Sequence, residues 1–183
     1  MIMRKIIKGY KYLFPIAALI FSTPAVSYDA VFNVTGKVAA GTCSIKSSQT
    51  QNVNLGDHTI GANGFGQKIG STTKDVQWEL NFDCDANTII SVYLTGDNDP
   101  DNNTVLRLDS NNSAKGLGIE TVANDGISID WHALPFYRER SVTKAGRPAG
   151  PIKVLFKSRY KQTAAVVTPG PANGNLGIDI SYN

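Results

Sequence analysis

Histidine, cysteine and long apolar runs are all scarce in this chain of 183 residues. There are two histidines, His58 and His132, and two cysteines, Cys43 and Cys84. A metal centre needs more ligands than this widely separated set supplies. Neither histidine accompanies a nucleophile motif such as G-x-S-x-G, so a hydrolase would lack its acid–base constellation. The alternating acids Asp97, Asp99 and Asp101 lack the glycine and glutamate that complete a calcium loop. Glycines 61, 64, 66 and 70 do not fit a dinucleotide fingerprint. No cofactor, metal or enzymatic activity is expected. The longest apolar run, Leu13–Phe21, is nine residues broken by Pro15, far short of the ~20 that span a bilayer. Helical periodicity is almost absent as well.

That short run has a context of its own. Arg4, Lys5, Lys8 and Lys11 precede it without an acid, and Ala25-Val-Ser27 supplies small residues at −3 and −1 of a cleavage site. The order is that of a secretory signal, expected to cover residues 1–27. Its removal takes 18 Lys+Arg to 14 against 15 Asp+Glu, and the net charge from +3 to −1. The basic balance therefore belongs to the precursor, and nucleic acid is not an expected partner. The mature form should carry no membrane span. In a secreted chain, Cys43 and Cys84 are expected to form a structural disulfide.

What the chain has in abundance is period-two alternation. Val76, Trp78, Leu80 and Phe82 alternate with polar residues up to Cys84. Ile90, Val92 and Leu94 follow, then Val105, Leu106 and Leu108, Leu117 and Ile119, Ile127 and Ile129, Ile152–Tyr160, and Leu176, Ile178, Ile180 and Tyr182. Turn clusters separate them, including Gly61–Gly64, Gly96–Asn103, Asn124–Gly126 and Pro169–Gly174. Short strands spaced in this way predict an all-β sandwich, with Trp78 or Trp131 as core aromatics. A further strand lies at the start of the mature chain, where Ala30, Phe32, Val34, Gly36 and Val38 alternate with Asp29, Val31, Asn33, Thr35 and Lys37. Such a strand either pairs within its own domain or reaches into another molecule.

Several short segments, in order, bear on that choice. They are Val34-Thr-Gly-Lys-Val38 leading to Gly41-Thr-Cys43, then Val53-Asn-Leu-Gly56 and Phe82-Asp-Cys84. Ala114–Ile119 with Asn124-Asp-Gly126, Phe156–Tyr160 and the ending Gly174–Asn183 with its penultimate Tyr182 complete the set. In these, the chain resembles the minor subunits of chaperone–usher pili, of the type 1 and P fimbrial kind. The resemblance implies an incomplete immunoglobulin-like sandwich lacking its seventh strand and completed by donor-strand exchange. It divides the precursor into a signal (1–27), a donor-strand arm (28–40) and a pilin domain (41–183). It further implies that Phe32, Val34 and Val38, with Ala30 at the end and Gly36 where no Cβ fits, enter a neighbour's groove. Leu176, Ile178, Ile180 and Tyr182 would line this chain's own acceptor groove, and a chaperone would hold the carboxylate of Asn183. The implied partners are a periplasmic pilus chaperone, an outer-membrane usher and neighbouring pilin subunits, with the product on the cell-surface fimbrium. The short arm points to a minor tip adaptor, and a major shaft pilin is the alternative. A secreted carbohydrate-binding sandwich, with Trp78, Trp131 or Tyr137 as a sugar platform, is a third reading. The basic residues Arg138, Arg140, Lys144 and Arg147 are expected to be a solvated face.

Overall fold

The computed structural model describes residues 42–61, 65–109, 113–124 and 130–183. The signal, the arm with Ala30, Phe32, Val34, Gly36 and Val38, and the pair Ile127 and Ile129 lie outside these residues. Within them are ten strands: β1 (Cys43–Ile45), β2 (Val76–Cys84), β3 (Ile90–Thr95), β4 (Asn98–Asp99), β5 (Asn102–Leu106), β6 (Leu117–Asn124), β7 (His132–Ala133), β8 (Arg140–Ser141), β9 (Gly150–Gln162) and β10 (Gly177–Tyr182). There is no helix among the described residues, and none is long and apolar enough to cross a membrane.

The strands form two sheets. The larger runs β1-β2-β9-β6-β5-β4, with β7 also on β6, and the smaller runs β10-β3-β8. Every pairing between named strands is antiparallel. Alternation dictates which side chains meet between the sheets, because successive side chains point to opposite faces. Leu80 and Phe82 of β2 and Ile152, Val154 and Phe156 of β9 face Ile90, Val92 and Leu94 of β3, all buried in one core. Gly118 is buried in β6, where an added Cβ would run into the Leu106 carbonyl and Val105 of the neighbouring strand. Glycine is what lets β5 close on β6 there.

Cys43 stands opposite Cys84 in the β1–β2 register, and the two are disulfide-bonded across a separation of 41 residues. The link ties the short β1 to the sheet at its edge. Reduction, or the paired Cys43→Ser and Cys84→Ser change, should cost about 4 kcal/mol in the chain-entropy account. Thermal melting with and without reductant measures it as a lowered Tm.

The outer face of β6 and β9 carries the principal charge cluster. The Glu120 side chain is 3% exposed and accepts from Arg159 Nη2 at 2.8 Å and Lys161 Nζ at 2.6 Å. Arg159 also reaches Asp75 Oδ1 at 3.1 Å. Burial pushes Glu120 upward, but the hydrogen bonds and charges of Lys161 and Arg159 outweigh it and hold its pKa below the usual carboxylate value.

Of the two candidate core aromatics, Trp78 packs on the core, whereas the Trp131 ring lies on the outer face of β9 with Lys157 Nζ 3.9 Å from its centroid. One sequence expectation is corrected. The stretch from Gly96 to Asn103 is not wholly turn, because it holds β4 and the start of β5. There the Asp99 carboxylate accepts from Asp101 N and Asn102 Oδ1 accepts from Thr104 N, folding the chain locally into a hairpin.

Candidate functional site

β10 is an edge strand. It pairs with β3 through Ile178↔Leu94, Ile180↔Val92 and Tyr182↔Ile90, and no described strand pairs with its other side. Asn183 continues the ladder by exchanging backbone hydrogen bonds with Ile89 at 3.0 and 2.7 Å. An unpaired edge of six residues exposes a row of peptide groups that can accept another strand.

Beside that edge lies a cleft of about 920 Å³. Leu176, Ile178, Ile180 and Tyr182 form one wall and are only half-buried, although they pack on the core. Tyr182 meets Phe82 edge-on at 6.3 Å, and burial pushes its hydroxyl pKa upward. The floor is the inner face of the large sheet, with Trp78, Leu80, Ile119, Thr121, Ser158 and Tyr160. Residues 48–55 form the opposite wall and make no backbone–backbone hydrogen bond with other described residues. That wall is held instead through Gln51 Nε2 donating to the Glu79 carbonyl at 3.2 Å, preceded by Lys46 N donating to the Asn81 carbonyl at 2.8 Å. The cleft is thus long, apolar along β10 and polar along residues 48–52, and flanked by two stretches of backbone with unused ladder positions. Its shape and chemistry suit one extended strand.

The floor is not wholly apolar. Trp78 stacks on Phe156 with centroids 4.4 Å apart, and its indole N–H donates to Ser158 Oγ at 3.0 Å. Ser158 Oγ is in turn 3.0 Å from Thr121 Oγ1. Trp78 points inward as alternation requires, yet it is half-buried because the cleft opens over it. The one signal of this polar trio in the linear sequence is the arrival of Ser158 in the inward register after Ile152, Val154 and Phe156.

The remaining candidates fall elsewhere. Tyr137 is exposed, stands edge-on to Tyr93 at 6.2 Å and donates its hydroxyl to the Gly96 carbonyl. Of the three candidates for a sugar platform, Trp78 stacks on Phe156 in the cleft floor, Trp131 lies beneath Lys157 and Tyr137 stands beside Tyr93. His58 Nε2 lies 2.8 Å from the Leu55 carbonyl and the ring meets Tyr160 edge-on, while His132 is exposed on β7. Arg138 and Arg140 are exposed. No group of three metal-ligating side chains gathers among the described residues.

Comparison with known proteins follows the same lines. The family model described as fimbrial protein matches residues 32–183. The fimbrial-like protein YdeS of Escherichia coli K12 is 34% identical over 169 residues, covering 86% of this chain and 89% of that protein. Fimbrial subunit type 1 of Salmonella typhimurium is 28% identical over 167 residues, covering 87% and 86%. Among solved structures, the P pilus rod subunit PapA superposes with a TM-score of 0.56 at 19% identity, covering 77% of this chain and 99% of that one. A chaperone–usher pilus structure gives a TM-score of 0.57 at 15% identity, covering 86% and 97%. These structures share the incomplete immunoglobulin-like sandwich. Sequence, fold and family model agree that this chain belongs to the fimbrial protein family, as a structural subunit of cell-surface fimbriae rather than an enzyme.

Proposed function

We propose that this subunit polymerises by donor-strand exchange, most simply as a minor tip adaptor in the pilus. The observation that carries the reading is the strand-shaped cleft beside the unpaired edge of β10. An incoming strand would gain ladder hydrogen bonds from β10 and bury alternate side chains against Leu80, Ile119 and Ile178. In this reading residues 1–27 are a removed signal and residues 28–40 a donor arm for the next subunit's groove. Phe32, Val34 and Val38 fill pockets there, Ala30 lies at the end and Gly36 sits where a side chain has no room. Burying the three large side chains contributes roughly 5–9 kcal/mol of gross transfer energy, at about 1.5–3 each. Ordering the arm subtracts from that sum.

Before assembly, a periplasmic chaperone lends the strand, with basic residues on the Asn183 carboxylate, and an outer-membrane usher directs the exchange. The adaptor role rests on the short arm before Cys43. A major shaft pilin is the second reading. The test is Gly36→Leu in the full-length chain. It should block incorporation into the following subunit's groove while leaving this domain able to accept a strand. Normal polymerisation of the variant would rule out the register.

A further inference from the structure

The cleft floor contains a hydroxyl proton that no described residue accepts. Trp78, Ser158 and Thr121 bring three polar protons together: one indole N–H and two hydroxyl protons. Only two hydrogen bonds join them, Trp78 Nε1–H to Ser158 Oγ and the Ser158–Thr121 pair, each 3.0 Å. If Ser158 donates to Thr121, the Thr121 proton is left over; if Thr121 donates, the Ser158 proton is. Neither hydroxyl makes another hydrogen bond to a described residue, and their residues are 3% and 5% exposed. Leaving such a donor unmet under a closed cleft is costly.

A strand lying in the cleft directs its own N–H and C=O groups sideways, along the sheet, toward β10 and residues 48–55. Only its side chains reach the floor. We propose that the cleft selects a donor strand with a small hydroxyl or carboxamide side chain at the inward position over Ser158 and Thr121. This chain's own arm presents Ala30, Phe32, Val34, Gly36 and Val38 on the face assigned to the groove, and none of these carries an acceptor. The preferred occupant is therefore the arm of an unlike subunit, not a second copy of this chain. The inference rests on the strand-accepting reading above. It makes the subunit a joint between different subunits, which is what an adaptor must be.

The probe is a synthetic peptide of residues 28–40 and its Ala30→Ser, Val34→Thr and Val38→Thr variants, titrated onto the refolded mature chain. Val→Thr preserves branching and volume, so it adds little beyond the hydroxyl. At least one variant peptide should bind about tenfold more tightly than the parent. That gain should vanish on chains carrying Ser158→Ala or Thr121→Val. The readout is the ratio of variant to parent affinity on the same chain, so a general loss of stability in a mutant chain cancels. Parent binding with no gain from any hydroxyl overturns the proposal while leaving the strand-accepting reading intact. So does a gain that survives both chain mutations, or a parent peptide weakened by Thr35→Val, which would turn its other face inward. Failure of every peptide to bind overturns the strand-accepting reading, and this proposal with it.

Discussion

An arm peptide added to the isolated mature chain at a thousand times its Kd is expected to raise its Tm by roughly 8–16 °C. Alone, the chain leaves Leu176, Ile178, Ile180 and Tyr182 half-buried along a cleft of about 920 Å³. Core packing normally excludes voids much larger than a water molecule, so this wall lacks the contacts a complete sandwich would give it. A bound strand stabilises the folded form by mass action, about 4 kcal/mol when its concentration is a thousand times Kd. For a domain of about 150 residues, each 1 kcal/mol shifts Tm by roughly 2–4 °C. Differential scanning calorimetry with and without peptide measures the shift. Without peptide, size-exclusion chromatography should show self-association, because an exposed edge with an apolar wall pairs with whatever strand is at hand. A high-melting monomer that ignores the peptide would contradict this.

The second large effect comes from behind the cleft floor. Glu120 precedes Thr121 on β6, and Arg159 follows Ser158 on β9, so the ion cluster on the outer face clamps the register of the hydroxyls on the inner face. Removing one partner of a buried pair typically costs 3–5 kcal/mol, through the charge left uncompensated. Here Arg159 keeps Asp75 at 3.1 Å, and the Arg159 and Lys161 side chains are 27% and 22% exposed, so both reach water. Glu120→Gln should therefore fall at the low end, about 3 kcal/mol near neutral pH, measured by denaturant unfolding. The pH dependence follows from the sign of the shift. Glu120 is held below its ordinary value in the fold, so its contribution is fully present above the normal carboxylate range. It is lost as pH falls through the lowered value. The gap between wild type and Glu120→Gln should narrow over that acidic window and stay constant above it.

Much of the sandwich was legible because burial on one face forces strict alternation. Val76 to Phe82 announced β2, Ile90 to Leu94 announced β3, and Leu176 to Tyr182 announced β10. β4 escaped notice because two residues cannot display a period, and because asparagine and aspartate read as turn whether or not a ladder forms between them. Pattern alone could not choose between Trp78 and Trp131 for the core, because an aromatic residue has two ways to leave water, inside the core or beneath a lysine stem. The cleft itself was legible only through resemblance. Its two walls lie more than 100 residues apart, and residues 48–55 carry no periodicity to mark them as a wall. The Trp78–Ser158–Thr121 trio depends on partners 80 and 37 residues apart, and that proximity is a property of the β2–β9–β6 register.

The strand-accepting edge is tested most directly by amide hydrogen exchange of Gly177–Tyr182, resolved by residue, before and after an arm peptide is added. Amides bonded to β3 should be protected in both states. Those facing the cleft should exchange freely in the chain alone and slow by at least tenfold once the strand is in place, together with amides in residues 48–55. Protection that appears elsewhere in the fold while β10 is unchanged would contradict a strand seated in the cleft.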